Sequence, residues 1–578
     1  MLTFCSREHW VLFLLAGVLS QLVGCATYRD EINGGLAKME QGDYGAAITL
    51  MDREYRSNND RLLKQVELGL LHYLNANYSQ SLENFDRAEE IAEQLYTQRV
   101  SDMLLVAMSS PRQGPYRGAQ FEKAFIHYYK SLCYLQLAQL DGEDYGKFIE
   151  KARVETRKVD ILLSEIAFVK GDYQQARERK QQLFGKILQI FSQLSSGRKL
   201  NDELEYREDA YIRYLNGIIY ELNGEYDNAR IAYQKAAKLY EDGFAKQYGL
   251  PQSIVQQAWL DTLRMMKRAG GYENDLQRLQ KNKLDDTARE RLAAYDENHA
   301  QLIVLQHLGM VPHRAEMNLH ARINPMFKEL VVNVAPTGMP REQQDQTAWF
   351  QALYAERGVL DYLVNFHQGG VIGTLEGTFT KKIALSPVWD LVEGIGLDDA
   401  LGGVGIRLTV PYYPSKATAY GGSTLSVNGE LKGHLIKAQS LAAIAVNEQI
   451  FNANSDFNES LARESVKNLL AYQLGEEVGA GFGFNGLLGN LSKMAMAASS
   501  AAETRNWLTL PYEIRVIRLA LPAGEHKVTL KTQGAKAGGY ASQTYDLTLH
   551  PGEQRILMPR TINHLLESKQ PVLVKRNR

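Results

Sequence analysis

Residues 217–236 read GIIYELNGEYDNARIAYQKA, and this stretch decides the fold of the first half of the chain. Gly224-Glu225-Tyr226 is a turn signal between two runs in which small and aromatic residues recur at helical spacing. Small residues let paired helices approach closely, and aromatic residues fill the grooves beside them. The stretch therefore predicts a helical hairpin. The small and aromatic positions are Gly217, Tyr220, Ala229, Tyr233 and Ala236.

The same pattern occurs earlier in the chain with the period of a repeat protein. Gly42-Asp43-Tyr44 and Asn77-Tyr78 are turn signals, and the two tyrosines lie 34 residues apart. This is the length of the tetratricopeptide repeat, which the pattern resembles. A weaker turn, Gly171-Asp172-Tyr173, is spaced irregularly, as lengthened helices or insertions would produce. We expect residues 25–300 to form an all-α, tetratricopeptide-like helical repeat domain.

A segment rich in helix-ending residues, 109–118, separates the second turn from the third. One interpretation places Tyr116, Arg117 and Glu122 on the concave face of the superhelix, where they would hold a peptide of a partner protein. The alternative is a loop between repeats with a charge pair exposed to solvent.

The hydrophobic pattern changes near residue 301. Short apolar runs at 302–305, 330–334 and 404–410 predict buried strands. Residues 460–474 carry apolar side chains at helical spacing and predict an inserted helix. We therefore expect residues 301–578 to form an α+β domain, mixed but mainly antiparallel.

Two runs near the C-terminus, 526–531 and 545–550, alternate apolar and polar residues, as antiparallel strands over a core do. Upstream, residues 502–511 read AETRNWLTLP. The segment resembles one in a little-described family of bacterial tetratricopeptide lipoproteins, Ala-Asp-x-Arg-x-Trp-x-x-Leu-Pro followed by a Leu-Pro-Ala-Gly hairpin, here 521–524. Glu503 stands where the family has Asp. The resemblance implies a link to cell-wall synthesis and no known reaction.

Within this segment, Arg505 and Trp507 have two interpretations. A planar cation and a large ring suit a surface patch on which a partner docks. The alternative is that Trp507 fills the sheet and Arg505 pairs with Glu503 beside it.

The N-terminus predicts where the chain resides. Its apolar segment, residues 10–19, is too short to span a bilayer and is typical of a signal peptide, which we assign to residues 1–24. Leu22-Val23-Gly24-Cys25 resembles the lipobox of bacterial lipoproteins, which implies acylation of Cys25 and a membrane anchor. Because Ala26 replaces the Asp that favours inner-membrane retention, we expect the outer membrane, facing the periplasm. The alternatives are an ordinary cleaved signal and an uncleaved anchor.

Composition and motifs exclude several classes of function. The formal net charge of -2 leaves no basic excess to attract nucleic acid. Once Cys5 is cleaved off and Cys25 is acylated, Cys133 alone remains, so neither an internal disulfide nor a cysteine-rich zinc site is expected. Zinc-protease, phosphate-loop and serine-hydrolase motifs are absent from the sequence. We assign no catalytic residue, no cofactor and no metal ligand.

These observations favour a lipid-anchored, non-enzymatic envelope protein that binds a protein partner. An envelope hydrolase with a site in the second lobe and a subunit of an envelope assembly are the alternatives. The glycine-rich runs 369–405 and 475–502 fit either loops or segments that contact the membrane. A deep cleft with convergent acids or histidines would favour the hydrolase. A shallow groove lined by tyrosine and arginine would favour the scaffold.

Overall fold

The computed structural model describes residues 28–55, 57–97, 110–140, 144–168, 187, 191, 208–337, 339–354, 380–403, 405–414, 420–482, 500–534 and 539–562. In this part of the chain a helical lobe comes first and a sheet-containing lobe follows, so the predicted α+β class is confirmed. The last helix of the first lobe ends at Ala293 and the first strand begins at Ala300. The predicted signal peptide lies outside the described residues.

The helices of the first lobe pack mainly on their neighbours along the chain. They are α1 (Tyr28–Glu31), α2 (Asn33–Glu40), α3 (Tyr44–Glu54), α4 (Arg61–Leu74), α5 (Tyr78–Thr97), α6 (Gln120–Leu140), α7 (Tyr145–Phe168), α8 (Ala210–Leu222), α9 (Tyr226–Leu239), α10 (Gln252–Ala269), α11 (Glu273–Lys283) and α12 (Asp286–Ala293). A π-helical turn, Tyr240–Phe244, and a short helical turn, Ala245–Gln247, extend α9. Helices α4 and α5, α6 and α7, and α8 and α9 form hairpins.

The described part of the second lobe contains three sheets, a long inserted helix and shorter helices. Its elements are β1 (Ala300–Leu308), β2 (Ala315–Asn324), β3 (Glu329–Val334), α13 (Pro340–Tyr354), β4 (Thr380–Ala384), α14 (Trp389–Gly394), α15 (Leu397–Leu401), β5 (Ile406–Tyr412), β6 (Tyr420–Val427), β7 (Glu430–His434), β8 (Ile436–Gln439), α16 (Leu441–Phe482), β9 (Glu513–Leu521), β10 (Gly524–Gly534), β11 (Tyr540–Leu549), β12 (Gln554–Leu557) and β13 (Arg560–Thr561).

The strand orders are β12-β1-β9-β8, with β13 also beside β1, then β11-β10-β6-β7, and β4-β3-β2-β5. Among the described strands, β12 and β13 run parallel to β1 and the other pairs are antiparallel. The mainly antiparallel character is therefore confirmed, and so is the predicted helix at 460–474, which lies inside α16.

The predicted hairpin at residues 521–524 is wrong. Strand β9 lies between β1 and β8, whereas β10 leaves that sheet and pairs with β6 and β11. Pro522 has no N–H to donate to a ladder, and apolar side chains of both sheets form a small core between them. The turn is therefore a corner between two packed sheets. That core includes Leu302, Val304, Ile517 and Leu521 from one sheet and Leu425, Val427, Val528 and Leu530 from the other.

Glycines on the first helix of a hairpin allow a large side chain of the second helix to approach its backbone. A Cβ atom at Gly217 would lie 2.5 Å from the ring of Tyr233, closer than atoms can approach without displacement. The predicted close approach of these two helices is confirmed. Among the described helices, three consecutive pairs show this contact between residues sixteen positions apart: Gly35 in α2 with Met51 in α3, Gly69 with Phe85, and Gly217 with Tyr233.

The two lobes share a hydrophobic core. One contiguous cluster of buried side chains runs from Tyr28 in α1 to Met558 after β12. The Tyr240 hydroxyl of the helical lobe also donates a hydrogen bond of 2.9 Å to the Ala438 carbonyl in β8. The described lobes are therefore packed as one body.

Candidate interaction site

The helical lobe holds an extended segment from the second half of the chain. Residues 501–510, which we call the strap, lie beside the 3₁₀ turn Pro111–Gln113 and helices α4 and α6. The Ser110 hydroxyl donates to the Ala501 carbonyl over 3.0 Å, and the Arg112 guanidinium donates to Thr504 Oγ1 over 3.1 Å. The helical lobe therefore binds a peptide, but this peptide belongs to the same chain.

Arg505 fixes the strap by donating to several acceptors at once. It is buried, with 2% of its surface exposed, and its guanidinium is 2.9 Å from Asp60 Oδ1 and 2.6 Å from Glu503 Oε2. It also donates to the carbonyls of Pro111 and Gly114, each over 3.0 Å. Burial disfavours the cation, but the carboxylates of Glu503 and Asp60 outweigh it and raise the pKa of Arg505. Arg505 is a buried junction between the lobes.

Trp507 is the apolar anchor of the strap. Its side chain is fully buried, and its ring centre lies 5.9 Å from those of Phe85 in α5 and Tyr129 in α6. The indole N–H donates to Thr509 Oγ1 over 2.9 Å, so the polar edge of the ring is also satisfied. The strap therefore contributes a large ring to the core of the helical lobe.

Two buried carboxylates of the helical lobe receive the main chain of the strap. Glu67 accepts from the Leu508 N–H over 2.8 Å and from the Thr509 N–H over 3.1 Å, and Glu122 accepts from the Trp507 N–H over 2.9 Å. Burial raises the pKa of Glu67 to about 7, although the hydrogen bonds from the strap oppose this shift. The backbone of residues 507–509 can therefore be buried here because each of these N–H groups has an acceptor.

The residues that the sequence nominated for partner binding lie within or beside this contact. Arg505 and Trp507 are buried, so the predicted surface patch is wrong, and the alternative pairing of Arg505 with Glu503 is confirmed. Tyr116 donates to Glu122, and both are buried, so the alternative of a solvent-exposed charge pair is also wrong. Arg117 is half-buried next to them. A partner could reach most of these side chains only if the strap left its place.

An open groove lies at the joint between the lobes, and we call it the outer groove. Its volume is about 310 Å³. The ends of α6, α8 and α10, the starts of α7 and α9 and the turn before β12 form its walls. Its lining residues are Gln139, Tyr145, Glu221, Leu222, Gly224, Tyr226, Arg268, Gly552, Glu553, Gln554 and Arg555.

The acidic groups of the outer groove are paired. Glu221 is 2.6 Å from the Arg264 guanidinium and 2.9 Å from that of Arg518. Burial disfavours its charge, but these two arginines lower the pKa of Glu221 to about 2. Glu553 accepts from Arg555 over 2.6 Å. A general acid near neutral pH needs a raised pKa, so the lowered pKa of Glu221 does not suit that role.

A second cluster of titratable groups lies between α5, α6 and α7. Glu89, His127 and Glu155 present atoms within 4.8 Å of one another, a spacing that would suit a metal ion. Lys130 Nζ, however, is 2.6 Å from Glu89 and 3.2 Å from Glu155, so an ammonium group supplies positive charge there. We interpret the cluster as an ion-pair network that joins three helices.

The sequence drew attention to two residues of the outer groove as turn positions of the repeat, and not as binding residues. Gly224 and Tyr226 were singled out as turn positions of the repeat, and both line the groove. Arg268 and Arg555 were missed. Gly270-Gly271 marks the end of the helix that carries Arg268, but no local signal brings that arginine to Tyr226, 42 residues earlier.

Neither a comparison with models of protein families nor a comparison with curated proteins gave a match to this chain. None of the described helices is long and apolar enough to cross a membrane. Cys25, the predicted lipidation site, lies outside the described residues, as do residues 369–379 and 483–499 of the glycine-rich runs.

Proposed function

We propose that this chain is a lipid-anchored scaffold of the bacterial cell envelope that binds a protein partner in the outer groove. The observation that supports this most is the composition of the groove, which combines tyrosine and arginine side chains from both lobes with acids already paired to arginine. Tyrosine and arginine are the side chains most enriched at the energetic centres of protein interfaces.

The strap explains why the partner is placed in the outer groove rather than on the concave face of the helices. The carboxylates of Glu67 and Glu122 can accept from main-chain N–H groups, but residues 507–509 already occupy them. The packed lobes hold the walls of the outer groove in a fixed relation, and this reduces the entropy lost when a partner binds.

The support for the lipid anchor and for a relationship to other proteins comes from the sequence. Acylation of Cys25 would hold the chain at the periplasmic side of the outer membrane, since two or more acyl chains give stable anchoring. The segment at 502–511 supports membership in the bacterial tetratricopeptide lipoproteins named above, and with it a role linked to cell-wall synthesis.

Crosslinking of the tagged, full-length chain in intact envelopes tests this function. We expect a partner protein whose crosslinks, mapped by mass spectrometry, involve Lys147, two residues from Tyr145 in the groove wall. Lys382 in β4 is a matched control because its side chain has a similar exposure, 62% against 58%. Recovery of no partner, or hydrolysis of wall material by the purified chain, would contradict the proposal.

A further inference from the structure

Arg268 is a cation of the outer groove that stacks on an aromatic ring and forms no ion pair within the described residues. It lies in the last turn of α10, with its guanidinium carbon 4.1 Å from the centre of the Tyr226 ring. No ion pair to Arg268 is formed within the described residues. Stacking on a ring covers the faces of a guanidinium and leaves its N–H edge free for a carboxylate, which it can bind through two parallel hydrogen bonds.

The other charged side chains that line the groove already have ion-pair partners in the protein. Arg555 is paired with Glu553, and the two buried acids Glu221 and Asp261 are matched by Arg264 and Arg518. Arg268 differs from them because no ion pair within the described residues neutralises it, and its positive charge favours a ligand with a carboxylate.

The remaining lining suits an extended chain better than a small acid. The groove is open, and besides Arg268 its lining includes Gln139 and Tyr145 from two other helices. The Gln139 amide oxygen accepts from the Ile556 N–H over 3.4 Å, and its N–H groups can donate to a peptide carbonyl. The Gln554 amide already donates to Glu221 over 3.1 Å. A small acid bound at Arg268 would leave this polar lining unused.

We infer that the outer groove recognises an extended protein segment through one carboxylate, which Arg268 receives while stacked on Tyr226. This inference rests on the proposed function and names the chemistry of its partner. The carboxylate is a glutamate or aspartate side chain or a free C-terminus of the partner protein.

A peptide array probed with the purified mature chain tests the inference. Each synthetic peptide is made in matched forms, with Asp and Glu or with Asn and Gln, and with a free or an amidated C-terminus. We expect the chain to bind carboxylate forms about 10- to 100-fold better than their neutral counterparts, the range for loss of a charged hydrogen-bonded pair. Equal binding of the matched forms, or binding of no peptide, would overturn the inference. Free glutarate that competes as well as a peptide would also overturn it.

Variants of the groove separate recognition from folding. Arg268→Ala should lose the preference for carboxylate forms, and Arg268→Lys should recover only part of it because a lysine lacks the planar fork. Arg278→Ala in α11 is the control, since that side chain is 67% exposed and outside the groove. All three variants should keep the thermal midpoint of the parent. An unchanged preference in Arg268→Ala would overturn the inference. If envelope crosslinking still captured a partner, the proposed function would stand without it.

Discussion

Replacement of Trp507 by Ala tests the strap as the joint between the lobes. The ring is fully buried between Phe85 and Tyr129, and truncation of such a side chain to Ala costs about 3–5 kcal/mol, since transfer free energy is lost and a cavity remains. An unfolding entropy of about 2.1 cal/mol/K per residue over roughly 500 residues gives about 1 kcal/mol/K, so the midpoint should fall by about 3–5 °C.

The assay combines denaturation by guanidinium, followed by circular dichroism, with hydrogen exchange followed by mass spectrometry. If the strap joins the lobes, protection in α5 and in β9 should fall together, by about 100-fold or more for a loss of 3 kcal/mol. Leu431→Ala is the control because that leucine is 56% exposed in the edge strand β7, and it should change stability by less than about 0.5 kcal/mol.

Two results would refute this reasoning. A loss no larger than that of the control would mean that the buried ring contributes little. Faster exchange confined to one lobe would mean that the strap does not couple the two.

Three further predictions concern Glu67, Gly217 and Cys25. Burial raises the pKa of Glu67 from 4.5 to about 7, so the folded chain binds the proton more tightly than the unfolded chain, and the free energy of unfolding should fall by up to about 3 kcal/mol as pH rises from 4.5 to 7. In denaturation curves measured across this pH range, Glu67→Gln should reduce the dependence of unfolding free energy on pH. The same pH dependence in the parent and the variant would contradict the prediction. Gly217→Ala should lower stability by about 1–3 kcal/mol because the added Cβ overlaps the Tyr233 ring. Gly146→Ala has open space around its Cβ and should stabilise α7 by about 0.5–1 kcal/mol. Equal shifts of the two melting midpoints would count against the contact between Gly217 and Tyr233. Cys25→Ser should move the chain from the membrane to the soluble fraction and abolish labelling by fatty acid, and a variant that stayed in the membrane would argue against the anchor.

Features fixed by local spacing could be predicted from the sequence. The close approach at Gly217 follows from small and aromatic residues at helical intervals, and the strand at Val528 and Leu530 follows from alternation. Both patterns involve residues a few turns or a few positions apart, so neighbouring residues alone carry the information.

The strap and the outer groove depend on contacts between distant residues. Glu67 and Leu508 are 441 residues apart, and Arg518 and Glu221 are 297 apart, so nothing near either residue indicates the partner. The sequence left two interpretations of Arg505, a surface cation and a partner of Glu503, and charged side chains are rarely buried unless paired. Acceptors from two separate segments besides its own make that burial possible, and no local pattern brings them together.

Site-specific photocrosslinking inside living envelopes tests the central claim most directly. A photoreactive benzoyl-phenylalanine is placed at Tyr226, in the outer groove, or at Ile231, which is exposed on the same helix and does not line the groove. We predict a covalent adduct with a partner protein from position 226 and none from position 231. Adducts of equal yield from both positions, or from position 231 alone, would contradict the claim that the partner binds in the outer groove.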